Sequence, residues 1–173
     1  MSRTVLRTAL CRRLGIEYPV MLAGMGPTVG DGPRGVAGPE LVAAVCNAGG
    51  LGVLGGTGLS ADQLAAEIAR VRQLTDRPFG VDLLLPEPRL SAEVRRSLPE
   101  DLSQLVPEGH REAARRLKRR LGLPEVPGAQ VGIDGFDPDE QVEVVVAERV
   151  AVLATGLGNP APYSERVHEA GGL

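Results

Sequence analysis

Three short clusters carry the residue types a binding site would need, and each stands where an apolar run meets glycine or an acid. Ala23-Gly24-Met25-Gly26 follows the run Tyr18-Pro19-Val20-Met21-Leu22, Asp82 lies inside Pro78-Phe79-Gly80-Val81-Asp82-Leu83-Leu84-Leu85-Pro86, and Gly156-Leu157-Gly158-Asn159-Pro160 follows Val150-Ala151-Val152-Leu153-Ala154-Thr155. A glycine such as Gly24 lets backbone N–H groups come close to a flat ligand because no Cβ intervenes, and Met25 offers a soft, polarizable contact to a ring. If the three runs are parallel strands, their C-terminal ends converge on one face, which is where α/β proteins place ligands. The chemistry that suits such a set is the holding of a planar cofactor.

Other patterns have simpler explanations. Gly50-Leu51-Gly52-Val53-Leu54-Gly55 matches G-x-G-x-x-G, but a dinucleotide fingerprint follows a strand and opens a helix, whereas this one follows a helical pattern and forms a strand. Arg111, Arg115, Arg116, Lys118, Arg119 and Arg120 alternate with Ala113, Ala114, Leu117 and Leu121 at helical spacing, which describes a helix with one wet basic face. Asp134, Asp137 and Asp139 crowd together without the twelve-residue frame and closing Glu of a calcium loop, so helix capping explains them. His110 and His168 both lie away from strand ends, and no metal site is assigned. Cys11 and Cys46 have neither C-x-x-C spacing nor a histidine companion, which speaks against a disulfide framework or a zinc site and makes a reducing cytoplasm the expected compartment.

The elements that must position these residues alternate. Strand patterns at 18–23, 51–55, 78–86 and 150–155 are separated by helical patterns at 39–47, 61–74 and 137 onward, with a last helix at about 161–170. Pro39 and Glu40 open the first of these helices and Gly49-Gly50 closes it. Ser60 is placed to cap the second, with Asp62 in its first turn, and Asp137 with Pro138 starts the third. Residues 87–138 break the rhythm, being rich in Pro, Arg and Glu with helical stretches near 91–97 and 108–121, and read as a helical insertion. Continuous apolar strands joined by helices define an α/β class with a parallel sheet, here one domain over residues 1–173. The junction Asn47-Ala48-Gly49-Gly50-Leu51 recurs as Glu169-Ala170-Gly171-Gly172-Leu173, so a fifth strand is expected to begin at residue 173.

Composition narrows the partners. The chain has 173 residues, 43% hydrophobic and 24% charged, which suits one globular core rather than disorder. A net charge of −3 supplies no field toward phosphate backbones or acidic membranes, and 2% aromatics supply no platform for stacking bases, so neither nucleic acid nor membrane is an expected partner. Arg3, Arg7, Arg12 and Arg13 precede the first acid, Glu17, a pattern that mimics a mitochondrial transit peptide yet runs into strand sequence without a spacer.

Leu14-Gly15-Ile16-Glu17-Tyr18-Pro19-Val20-Met21-Leu22-Ala23-Gly24-Met25, then Asn47 to Gly56, then Pro78-Phe79-Gly80-Val81-Asp82-Leu83 resemble the nitronate monooxygenase family, formerly called 2-nitropropane dioxygenases. FMN-dependent enoyl-ACP reductases share nearly the same N-terminal half. The resemblance implies a partial TIM-type (β/α) barrel of about four parallel βα units, with FMN at the C-terminal strand ends and oxidation of a small-molecule alkyl nitronate by molecular oxygen. It implies that Ala23, Gly24, Met25, Asp82 and Gly156 contact the flavin. Asp82 stands where the family usually has Asn. An Asn donates to a flavin oxygen, whereas an ionised Asp only accepts and opposes the charge of reduced flavin. Weaker FMN binding or a protonated Asp82 is therefore expected, and Asp82→Asn should tighten FMN. The family's catalytic histidine has no counterpart in His110 or His168, so no catalytic residue is assigned. A full barrel takes about 250 residues and eight strands. The chain is therefore expected to be the N-terminal half, active only doubtfully by itself, and to pair as a homo-oligomer or with a complementing C-terminal chain. From a different class, the alternative is a non-catalytic βα module that assembles with a partner.

Overall fold

The computed structural model describes residues 7–26, 35–86, 91–97, 99, 102–124 and 137–173. Three parallel strands form the sheet: β1 (Gly52–Gly55), β2 (Phe79–Leu84) and β3 (Val152–Gly156), in the order β1-β2-β3. In register, Gly55 lies beside Asp82, Asp82 beside Ala154, and Leu84 beside Gly156. Strands that are all parallel and adjacent in chain order need helical crossovers: α3 (Ala61–Leu74) lies between β1 and β2 and α6 (Pro138–Ala147) leads into β3, while α2 (Pro39–Asn47) precedes β1 and α7 (Ala161–Glu169) follows β3.

The helices begin and end where local chemistry dictates. Ser60 accepts from the Gln63 backbone while the Gln63 side chain accepts from the Ser60 backbone, a capping box that fixes the start of α3. Asp137 caps α6 through the Asp139 N–H, with Pro138 in the first turn. Three helices finish in one way. Gly49, Arg149 and Gly171 each take positive φ, at 93°, 47° and 91°, and each donates to the carbonyl three residues back; the next residue donates five back, releasing the chain into a strand direction. The two-glycine echo in the sequence is thus a repeated helix-to-strand junction, and α6 makes the same junction with an arginine in the left-handed position.

The sheet has two differently covered faces. Leu54, Val81, Leu83 and Phe79 pack outward against Val42, Cys46, Leu64, Ile68, Val71, Val142 and Val145 from the helices. Burying side chains of this size from water contributes about 1.5–3 kcal/mol each before the loss of chain entropy is counted. The other face is closed at its lower end by a helix the sequence reading missed, α1 (Ala9–Leu14), whose Cys11 and Leu14, with Ile16, pack on Leu51 and Val53. Thr8 caps α1 and Gly15, at φ 70°, ends it. The arginine-rich composition of this stretch concealed a six-residue helix with Arg12 and Arg13 in its last turn, where basic side chains suit the helix dipole.

One edge of the sheet differs from expectation and the other agrees with it. Residues 18–23 form not a full strand but one parallel bridge, Met21 to Leu51, with Leu51 donating to Val20 and Leu22 donating to Leu51. Pro19 has no N–H to extend that ladder, and the chain turns away at Gly24. On the far edge, Leu173 donates to Ala151 and accepts from Leu153, so the pairing expected of a further parallel strand is present at that residue.

The expected insertion holds α4 (Ala92–Ser97), a short 3-10 turn at Leu102–Leu105 and α5 (Glu108–Leu121). No residue of α5 is buried, and Arg111, Arg115 and Arg119 pair with Glu108 and Glu112 along it, so its basic run is a solvated, ion-paired face. Asp134, Arg3 and most of the Gly/Pro stretch 26–38 lie outside the described residues. No helix among the described residues is long and apolar enough to cross a membrane.

Candidate functional site

Because the strands are parallel and in register, Gly55, Leu84 and Gly156 all open toward one end of the sheet. The strand period of two sends Val81 and Leu83 to the helix-covered face and Asp82 and Leu84 to the other, above the part that α1 fills. Asp82 is half-buried and central, flanked by Gly55 of β1 and Ala154 of β3. Gly156 lies two residues further along β3, about 6.6 Å higher at ~3.3 Å per residue, and accepts from the Leu85 N–H at 2.8 Å.

The segment after the Met21 bridge folds over the end of β1. Met25 accepts from Ala37, and Ala37 in turn accepts from Gly55, stitching the segment down. The backbone of Met25 and Gly26 occupies the space where a side chain on Gly55 would stand, and Thr57 O lies 2.7 Å from the place of a Cβ on Gly26. Gly24 faces Asp82: a Cβ there would lie 2.7 Å from Asp82 Oδ2. The room left by the absent Cβ of Gly24 is used by the Asp82 side chain, its Cβ first and then its carboxyl. Ala23 and Met25 point outward, with Met25 42% exposed, and Leu157 stands 74% exposed at φ 62° beyond Gly156. The structure therefore brings Gly24, Met25, Asp82 and Gly156 to the same end of the sheet, with Ala23 on the outer side of the first segment.

Burial pushes the Asp82 carboxyl above the usual aspartate range, and no neighbouring charge contributes to that shift. The surroundings account for this. Residues 22–26, β1 and β3 contain no titratable side chain. His110 is exposed on α5 in the insertion, and His168 is exposed near the end of α7. The described residues hold no group of three potential metal ligands.

One supporting residue escaped the sequence reading. Gln141 of α6 is fully buried, and its Nε2 donates to the carbonyls of Gly56 at 3.0 Å and Leu59 at 2.6 Å. It fixes the β1–α3 loop on which Gly26 rests. Its signal in the sequence was a lone Gln on the apolar side of a helix, in line with Val142 and Val145. Cys46 plays a similar part at the other end of β1, accepting from Gly52 at 3.2 Å and donating to Pro78 O at 3.3 Å, with its thiol pKa pushed up by burial.

The arrangement fits the ring of a planar cofactor in shape: an exposed thioether, two glycines and short side chains border an open strand-end face. In charge it fits an electron-rich ring only when Asp82 carries a proton, because an ionised carboxylate has no hydrogen to donate.

Comparison with known proteins gives the family. The family model for nitronate monooxygenase matches residues 7–173. A Mycobacterium tuberculosis protein named "Putative monooxygenase Rv1533" is 32% identical over 94% of this chain and 43% of its own length. FabK of Thermotoga maritima superposes with a TM-score of 0.59 at 28% identity, over 97% of this chain and 36% of that one. Nitroalkane oxidase of Streptomyces ansochromogenes does so with a TM-score of 0.60 at 31% identity, over 96% and 41%. The chain thus spans less than half the length of these relatives. Its parallel βα units are those of a partial TIM-type barrel, and a match that begins at α1 and runs through Leu173 makes the chain a member of the nitronate monooxygenase family.

Proposed function

We propose that this chain contributes the first half of an FMN-dependent oxidoreductase that oxidises alkyl nitronates with molecular oxygen. The observation that carries this reading is the gathering of Gly24, Met25, Asp82 and Gly156 at the C-terminal end of one parallel sheet in a member of this family. Bound there, FMN would supply the electron-transfer chemistry. The chain's own residues do the rest. Met25 would provide an apolar, polarizable wall for the ring; Gly24 leaves room for the Asp82 side chain beside it, and Gly156 leaves room for Leu84; and Asp82 sits where it could hold a proton toward a ring oxygen. No catalytic base is assigned among the described residues.

Two details complete the reading. Val20 and Met21, both more than half exposed beside the single bridge to Leu51, leave an apolar edge suited to a second copy or a complementing C-terminal chain. Sedimentation above the 18.1 kDa monomer would support that pairing, and a stable monomer would refute it. Cys11 and Cys46 are buried and not joined in a disulfide, which accords with a reducing cytoplasm.

The likeness to FabK supports enoyl-ACP reduction as a second reading. The test is to load the purified chain with FMN, remove free flavin by gel filtration, and record the visible spectrum. Oxygen uptake with an alkyl nitronate is then measured against NADH oxidation with an enoyl thioester. Retained flavin with nitronate-dependent uptake supports the first reading, and retained flavin with NADH oxidation the second. Colourless, inactive protein overturns both in favour of a non-catalytic βα module.

A further inference from the structure

Asp82 is the one titratable side chain on the described part of the strand-end face, and it is placed unlike a solvated surface acid. It sits in the middle strand, against the backbone of Gly24, and among the described residues it has no hydrogen-bond or ion-pair partner for its carboxyl. The elements packed around it offer no charge. The 22–26 segment reads Leu-Ala-Gly-Met-Gly, β1 reads Gly-Val-Leu-Gly, β3 reads Val-Leu-Ala-Thr-Gly, and the following loop is Leu157-Gly158-Asn159-Pro160. Below it, α1 turns the Cys11 thiol toward Thr8, while Arg12 and Arg13 of that helix are exposed. A ligand covering this face would strip the remaining water from Asp82 without giving an ionised carboxylate anything to pair with. Removing water from an unpaired charge is costly, whereas the neutral acid becomes an O–H donor to a ring carbonyl or ring nitrogen.

We infer that ring binding at this face is coupled to uptake of one proton by Asp82, so that the site takes up its cofactor as a neutral carboxylic acid and releases it as the carboxylate forms. This inference rests on the flavin reading above and adds to it a linkage between pH and occupancy. The proton comes from solvent and ends on the Asp82 carboxyl, with no change in the redox state of the ligand. Burial, which already favours the neutral form in the free protein, acts in the same direction.

The test is titration of the purified chain with riboflavin and with FMN by quenching of flavin fluorescence, from pH 4.5 to 8. Riboflavin is included because it lacks the phosphate, whose own second pKa near 6 would otherwise confuse the profile. The expected riboflavin Kd is flat at low pH and rises about tenfold per pH unit above the pKa of Asp82. Asp82→Asn should bind with a pH-independent Kd, and Asp82→Ser provides a second neutral variant should the first fail to fold. A flat wild-type profile, or the same slope in both neutral variants, overturns the inference while leaving the flavin reading standing. Absence of binding by wild type and variants at every pH overturns the flavin reading itself. Carboxyl-carbon NMR of Asp82 gives an independent readout: its titration should move to higher pH when riboflavin is added.

Discussion

At the scale of single residues, the contact between Gly24 and Asp82 decides what the face can be. A methyl at position 24 would press on the Asp82 carboxyl, and relieving an overpacked contact of this kind costs about 1–3 kcal/mol. Gly24→Ala should therefore lower stability by at least that amount in urea denaturation, and Asp82→Gly in the same chain, which removes the Asp82 Cβ nearest to that methyl, should recover part of it, whereas Asp82→Ala, which keeps that Cβ, should not. Additive effects of the two changes would show that they do not touch. The raised pKa of Asp82 has a defined consequence for stability. The folded state holds this proton more tightly than the unfolded chain, so stability falls as pH rises from the ordinary aspartate range through the folded pKa, and stays lowered above it. Asp82→Asn should melt at a higher temperature than wild type at pH 7, and the difference should vanish below about pH 4, near the unfolded aspartate pKa. Equal melting at pH 7 would mean that the carboxyl is well solvated. Sequence alone marked Gly24 and Asp82 as neighbours of a ligand, but not as neighbours of each other, because the contact depends on how far residues 22–26 fold over β1.

Among the elements, the helix-to-strand junctions were legible because glycine at a helix end is an unambiguous backbone signal. Gly49 and Gly171 behave as their sequence context indicates. Arg149 does the same work without glycine's freedom, and a non-glycine residue in the left-handed region is strained by about 1–2 kcal/mol. Arg149→Gly should accordingly raise stability by about 1 kcal/mol in denaturant titration, and a loss of stability would mean that the arginine side chain holds the junction together. Gln141 and α1 were hidden for opposite reasons. A buried glutamine looks like any polar residue until its two carbonyl partners are known, and α1 is too short, and too rich in arginine, for apolar periodicity to reveal it. Gln141→Leu leaves the Gly56 and Leu59 carbonyls without their donor inside the core, at a cost of about 2–4 kcal/mol, read as a lowered urea midpoint. A change within 0.5 kcal/mol would show that the loop is held by other means.

For the molecule as a whole, alternating strands and helices made the parallel sheet readable, because strands buried on both faces are continuous apolar runs and their crossovers carry caps. The first expected strand shrank to one bridge since a proline and a glycine bound it on either side. The candidate site was legible only as a set of strand ends. Register, which places Asp82 between Gly55 and Ala154 and sets Gly156 above them, comes from the packing of whole helices and not from any local motif. The proposed function requires a flavin ring to rest on this end of the sheet. The most direct measurement is the amide and methyl NMR spectrum of the labelled chain during addition of FMN. Shifts are expected at Gly24, Asp82 and Gly156 and at the Met25 methyl, with Arg77 and Arg149 at the opposite end unmoved. Shifts confined to that opposite end, or none at saturating FMN, would contradict the proposed function.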